Sequence, residues 1–195
     1  MSAGPAGEVP DFAGAVLCGG QSRRMGRDKA LIPVEGTPLV VRVARALRAA
    51  GAREVVAVGR HPGWLAEHGL VAVPDARPGQ GPAGGVATAL GVCHHEIVVV
   101  AGCDLVAPSP DAMAATVGAL ASHPGAAVAV PRTGGWLQWM HAAWRLAAAP
   151  ALDAALDAGE RAVGSVVEAA GLTVVEVEGV DPAALADADT PDDLR

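Results

Sequence analysis

The stretch Ala15-Val16-Leu17-Cys18-Gly19-Gly20-Gln21-Ser22-Arg23-Arg24-Met25-Gly26-Arg27-Asp28-Lys29 starts as an apolar run, opens at a Gly-Gly pair and ends among cations. The apolar part, from Ala13 to Cys18, is short enough for a buried strand. Gly19, Gly20 and Gly26 can take backbone angles closed to other residues and let a ligand approach amide N–H groups. Arg23, Arg24, Arg27 and Lys29 set four positive charges within seven residues around that approach. Open N–H groups beside a basic cluster suit a polyphosphate. Lys29 is followed by Ala30, so this is not a Walker A loop, and the glycine spacing is not that of the dinucleotide fingerprint. The plainer alternative is a solvated basic turn after a strand.

Outward from this loop, strand and helix patterns alternate. Thr37-Pro38 reads as an N-cap and first-turn proline, and Leu39, Val40, Val43 and Leu47 repeat at helical spacing until Gly51. Glu54–Val58 is a second strand, 62–68 a short helix, and Val71–Val73 a third strand. Residues 82–92 read as helical, Ile97–Ala101 as the clearest buried strand, 111–122 as a helix entered from Ser109-Pro110, and 126–130 as a strand. Trp136, Met140 and Trp144 fit helical spacing and strand alternation equally, and form either a patch closing the core or an aromatic wall of a pocket. The pattern predicts an α/β fold: one Rossmann-like domain, a three-layer α/β/α sandwich around a mostly parallel sheet, over residues 12–195. Residues 1–11, rich in Gly and Pro, read as a disordered tail. Sheets of this kind bind ligands at the carboxyl ends of their strands. The loop at Cys18–Gly20, Asp75 after the third strand and Asp104 after the fourth all fall there.

Composition narrows the function classes. Of 195 residues 51% are hydrophobic, yet no run approaches the ~20 apolar residues of a membrane span. The net charge of -7 argues against general nucleic-acid or anionic-membrane binding, while the local basic cluster suits a small anionic ligand. Cys18, Cys93 and Cys103 are odd in number and lack metal-ligand spacing, which points to buried, reduced thiols in a cytoplasm.

The loop resembles the nucleotidyltransferase signature Leu-x-Gly-Gly-x-Ser-x-Arg-Met-Gly-x-x-Lys, and within that family the chain is most similar to the molybdenum cofactor guanylyltransferases. Four further segments match in order: Gly81-Pro82-Ala83-Gly84-Gly85, Cys103-Asp104, Gly159-Glu160-Arg161 and Asp189-Thr190-Pro191-Asp192-Asp193-Leu194. The resemblance, which runs from Ala13 to Leu194, implies a fold of the nucleotide-diphospho-sugar transferase type. It implies transfer of GMP from Mg·GTP to the terminal phosphate of molybdopterin or its molybdenum form, with Mg²⁺ as cofactor. Molybdoenzymes or cofactor-delivery proteins follow as implied protein partners. Cytidylyl transfer, another phosphorylated acceptor, or a nucleotide sensor without turnover are the alternatives.

A carboxylate after an apolar strand, as at Asp104, is either a helix cap or a ligand for a hard cation. The resemblance makes Asp104 a Mg²⁺ ligand, although Val106 stands where the family usually has Pro. Asp187-Ala188-Asp189-Thr190-Pro191 matches a segment that often reads Asn-x-Asn-Thr-Pro in the guanylyltransferases; either carboxylate could complete the Mg²⁺ shell, with Asp189 the expected second ligand, or merely a cap. Lys29 would hold the triphosphate and stabilise the transition state at the α-phosphate, with Arg23 or Arg24 on the leaving pyrophosphate. Nucleotide contacts are expected from Leu17, Cys18, Gly19, Gly20, Lys29, Asp75, Gly81, Gly84 and Asp104. Asp75 is either a reader of guanine or ribose or a turn aspartate. Gln138 and His141 resemble the family's acceptor-side segment, with Trp139 where Pro is usual, and Arg161 is a candidate for the acceptor's phosphate. A phosphate monoester is ionised near neutral pH, so His141 is not needed as a general base.

Overall fold

The computed structural model describes residues 9–18, 29–59, 63–188 and 193. Its centre is β1 (Phe12–Cys18), buried along its whole length. A small hairpin follows, β2 (Pro33–Val34) and β3 (Thr37–Pro38), turned by Glu35 and Gly36, both at positive φ. Two left-handed central residues are what a two-residue hairpin turn requires. Then come α1 (Leu39–Ala49), β4 (Glu54–Gly59), a 3₁₀ segment at Gly63–His68, β5 (Val71–Val73), α2 (Gly81–Val92), β6 (Ile97–Gly102) and α3 (Pro110–Ala121). The last third holds β7 (Val128–Thr133), β8 (Trp136–Leu137), β9 (His141–Arg145), α4 (Ala149–Asp157), α5 (Val163–Ala169) and β10 (Val174–Val177).

The main sheet runs β10-β7-β9-β6-β1-β4-β5, with β8 paired to β7 off this path. Pairings β1/β4, β1/β6, β4/β5 and β7/β10 are parallel; β9 is antiparallel to both β6 and β7. Alternate residues of each strand feed two separate cores. Phe12, Val16, Val99 and Ala101 face α1 and α3, while Ala13, Leu17, Val98 and Val100 face α2, α4 and α5. The expected α/β/α sandwich with a mostly parallel sheet is therefore what the chain forms.

Two glycines set how closely the helices approach β1. A Cβ on Gly14 would lie 2.9 Å from Leu47 Cδ1, and one on Gly85 would lie 2.9 Å from Leu17 Cδ1. Helices α1 and α2 thus seat against opposite faces of the central strand because one partner in each contact lacks a side chain.

Several local expectations need correction. Thr37 and Pro38 do not cap α1: they pair with β2, and Pro38 precedes the helix with no side-chain hydrogen bond. Backbone pairing has claimed a Thr-Pro that local propensity gives to a cap. Ser109 does cap α3, its Oγ accepting from Ala112 N–H at 3.3 Å. The Trp-rich segment is a hairpin. Gly134 and Gly135, both at positive φ, turn β7 into β8, so Trp136 is 77% exposed at the tip while Trp144 on β9 is fully buried. No helix among the described residues is long and apolar enough to cross a membrane.

Candidate active site at the carboxyl ends of the central strands

The site begins where β1 and β6 end side by side. Their register, from Phe12↔Ile97 to Leu17↔Gly102, carries on into the loop through Cys103 N–H, which donates to Leu17 O at 3.1 Å. Asp104 therefore emerges beside the end of β1. Gly102 makes its geometry possible, since a Cβ there would stand 2.7 Å from Asp104 Oδ1. Nothing in the apolar run around Gly102 announces this role; it follows from the way the carboxylate turns back over the strand.

Lys29 opens the short turn Lys29–Leu31, and its Nζ lies 3.3 Å from Asp104 Oδ2. Both side chains are mostly enclosed, at 18% and 27% exposure. The loop after Asp104 is fastened from several directions. Ala188 N–H donates to Asp104 O at 2.8 Å, Val106 N–H donates to Ala186 O at 3.0 Å, and Leu105 bridges Asp187 in antiparallel register. From α1, Arg42 Nη2 donates to Val106 O at 3.2 Å. Residues 186–188 thus form a strap along the Asp104–Val106 loop, and Asp187, its side chain 40% exposed, sits on it. Arg23, Gly19, Gly20 and Asp189 lie outside the described residues.

Leu17 and Cys18 are both buried. The Leu17 side chain packs under Gly85 and its carbonyl is engaged by Cys103; the Cys18 thiol donates to Val16 O at 3.6 Å. Any ligand contact from this pair falls to the Cys18 backbone.

Asp75 follows β5 at the same end of the sheet. Its Oδ1 accepts from Arg77 N–H at 2.9 Å and faces Thr88 Oγ1 at 3.0 Å, while Thr88 Oγ1 accepts from Ala76 N–H at 3.1 Å. One oxygen of Asp75 is therefore spent on shaping its own turn, and Oδ2 has no partner among the described residues. Gly84 belongs to the same construction. A Cβ there would meet Arg77 O at 2.9 Å, so Gly84 lets the 75–80 loop lie directly on α2. What the structure places at Gly84 is a backbone-to-backbone approach. Gly81, at φ +67, starts α2 and lies over Arg161 O. Arg77, which sequence reasoning missed, ties this loop to α4 through Asp153 and Asp157, each at 2.8 Å.

The candidate acceptor residues each have contacts of their own in the fold. Gln138 Nε2 donates to Thr133 Oγ1 at 3.0 Å, bracing the hairpin. Arg161 sits on the exposed turn near Gly81, its Nη1 donating to Leu156 O at 2.7 Å. His141, expected to meet the acceptor, is instead 6% exposed, because β9 buries it between the sheet and α3. Trp139 packs over Gly164 of α5.

Could the site hold a divalent cation? Hard cations take oxygen ligands, and Mg²⁺ in particular is held by one or two carboxylates, with waters and substrate phosphates filling the rest. Asp104 offers such a carboxylate at the end of β6, and Asp187 lies on the neighbouring segment bridged to Leu105. No cluster of three or more ligating side chains exists among the described residues. The residues fit the ion.

Comparison with known proteins gives the family. Residues 14–174 match the MobA-like NTP transferase domain. The chain is 35% identical over 192 residues to a molybdenum cofactor guanylyltransferase of Rhodobacter capsulatus, covering 94% of this chain and 93% of that protein. A namesake from Xanthomonas euvesicatoria pv. vesicatoria is 42% identical, but over 79 residues, 40% of this chain and 39% of that one. The fold is shared with the molybdopterin-guanine dinucleotide biosynthesis protein A of Archaeoglobus fulgidus, at a TM-score of 0.75 and 23% identity over 95% of both chains. With a glycine-rich, basic sequence following β1 and a lysine–aspartate pair closing the ends of the two central strands, the chain belongs to the MobA-like NTP transferases and is a nucleotidyltransferase.

Proposed function

We propose that the protein transfers GMP from GTP to the terminal phosphate of molybdopterin or its molybdenum form, releasing pyrophosphate. The observation that carries this reading is the Lys29–Asp104 pair, a cation and a carboxylate 3.3 Å apart at the carboxyl ends of β1 and β6. Binding a nucleotide without turnover would not require both. Support for the guanylyl branch comes from the Rhodobacter capsulatus relative, alike over nearly its whole length.

In this reading a phosphate oxygen of the acceptor attacks the α-phosphorus of GTP in line. The new P–O bond forms as the bond to the β-phosphate oxygen breaks, and pyrophosphate leaves with that electron pair. The nucleophile is already an anion, so no side chain has to remove a proton, and catalysis consists of positioning and charge stabilisation. Lys29 lies on the phosphates, Arg23 on the departing pyrophosphate, and the amides of Gly19 and Gly20 along the chain of phosphates. Asp104, with Asp189 or Asp187, would hold Mg²⁺. When bound, that ion offsets the charge growing on the phosphate oxygens. The Oδ2 of Asp75 accepts from guanine N1–H or N2–H₂, and Gly81 borders the nucleoside. Gln138 and Arg161 face the acceptor.

The test is a panel of the four NTPs with Mg²⁺ and molybdopterin, following pyrophosphate release and the dinucleotide formed. A guanine dinucleotide formed preferentially is the expected outcome. Asp187-x-Asp189, where the guanylyltransferases often have asparagines, is the feature that favours a second reading, cytidylyl transfer, which a cytosine product would establish.

A further inference from the structure

His141 is the buried group that this function leaves unused. Its side chain is 4% exposed, and neither Nδ1 nor Nε2 has a hydrogen-bond partner among the described residues. It shares a cavity of about 10 Å³, room for one water at most, with Val99, Leu105, Met113 and Leu185. Packing does not explain an imidazole there. A leucine would fill the same space without burying two unpaired nitrogens, each of which costs on the order of 1–3 kcal/mol.

Position, however, does explain it. His141 pairs with Ala101 in the β6/β9 register, and the neighbouring Met140 O accepts from Gly102 N–H at 3.0 Å. The ring is thus anchored to the strand that delivers Asp104. Its Nε2 stands 3.6 Å from Asp187 Oδ1, on the strap that lies along the Asp104–Val106 loop. A shift of about 0.5 Å brings that pair into hydrogen-bond range.

We propose that His141 is a positioning residue: its Nε2–H holds the Asp187 carboxylate and so keeps the 186–188 strap in register along the Asp104–Val106 loop. One side chain on the sheet then sets the spacing of two carboxylate-bearing segments that are far apart in sequence. The inference rests on the nucleotidyl-transfer reading only for the use made of that spacing. The spacing itself is measured without substrate.

The experiment compares wild type with His141→Leu, which keeps volume and loses the donor, and His141→Gln, which keeps an N–H donor. Hydrogen exchange of the Ala188 and Val106 amides is followed in metal-free protein, and the KM for Mg²⁺ is measured separately from kcat. Removing a residue that orients a metal ligand costs about 10–100-fold in metal affinity. His141→Leu should therefore raise the KM for Mg²⁺ about tenfold and speed exchange at both amides, while melting within a few degrees of wild type. His141→Gln should restore both readouts. Wild-type exchange and wild-type Mg²⁺ dependence in a folded His141→Leu protein would overturn the proposal, as would a Gln variant that rescues neither. Should His141→Leu not fold, Asp187→Ala, altered at an exposed position, is judged on the same two amides: faster exchange supports the proposal and unchanged exchange overturns it. Absence of NTP turnover in the wild type, with the amide effect intact, would count against nucleotidyl transfer and not against the positioning role.

Discussion

Lys29 Nζ and Asp104 Oδ2 meet at 3.3 Å although 75 positions separate them in the chain. The pairing of β1 with β6 is what brings them together, since each residue lies just beyond its strand or the loop that follows it. In the proposed reaction the cation meets phosphate charge and the carboxylate meets a divalent ion. Each neutralises the other until a charged ligand arrives.

Lys29→Ala should lower kcat/KM by roughly two to three orders of magnitude, the scale of one transition-state donor removed. Preference among NTPs should stay as in wild type, because in the proposed reaction the amine faces phosphates and not the base. Steady-state kinetics with GTP, CTP and ATP check both halves; a change of preferred base would relocate Lys29 to the base.

Asp104→Asn should fold normally and still bind nucleotide, yet lose most turnover. The side chain is partly exposed and its backbone contacts to Ala188 survive the substitution, so packing changes little. Circular dichroism with calorimetric nucleotide binding reports the intact part, and kcat reports the lost one. A wild-type kcat would exclude Asp104 as a metal ligand.

Asp75→Ala should weaken discrimination of GTP over ATP and CTP, because mispaired buried polar groups at a base cost about 1–3 kcal/mol each. Thr88→Val is the control. It removes the hydroxyl beside Asp75 Oδ1 and Ala76 N–H without touching Oδ2. Calorimetric Kd values for the three Mg-nucleotides should change ratio in Asp75→Ala alone. Equal loss of discrimination in both variants would reduce Asp75 to a turn residue.

Two glycines of α2 should respond in opposite directions to alanine. A Cβ at Gly91 would have nothing within 4 Å, so Gly91→Ala should stabilise by about 0.5–1 kcal/mol through helix propensity. Gly84→Ala drives a methyl against Arg77 O at 2.9 Å and should destabilise by about 1–3 kcal/mol. Urea unfolding of both variants decides; stabilisation by Gly84→Ala would mean the 75–80 loop moves away freely.

Glu54, at the opposite end of the sheet, supplies a pH dependence. Burial acts to raise its carboxyl, but the His94 N–H and the His95 and His94 imidazoles outweigh it and hold it below the ordinary value of 4.5. A carboxyl depressed in the folded state adds stability that is present above 4.5 and fades as pH falls through the folded value. Glu54→Gln should therefore melt below wild type at about pH 6 and match it at about pH 3. A constant difference across that range would refute the linkage.

The fold was legible because its strands are short apolar runs and its helices repeat at helical spacing: 71–73 and 97–102 needed nothing more. The places of Asp75 and Asp104 were legible for a related reason, since each follows the carboxyl end of an apolar strand, whereas Lys29 was picked out by its match to the signature. Illegible were the features that depend on distant backbone. Thr37-Pro38 looks like a cap until β2 claims it, and Gly84 looks like a ligand contact until the 75–80 loop is seen lying on it. His141 sits in a segment whose spacing fits helix and strand alike, and only the β6 register shows that its ring turns inward toward Asp187.

The β1/β6 pairing also has a kinetic consequence. Phe12↔Ile97 closes a long stretch of chain, and contacts of high sequence separation must overcome loop entropy before they are rewarded. Helix α1 draws on local apolar spacing, whereas the lysine and the aspartate meet only after the two central strands have zipped. During refolding from denaturant, helical ellipticity should return ahead of nucleotide-binding competence. A molecule trapped before zipping would have its helices but no site, with the apolar edges of β1 and β6 open to other chains.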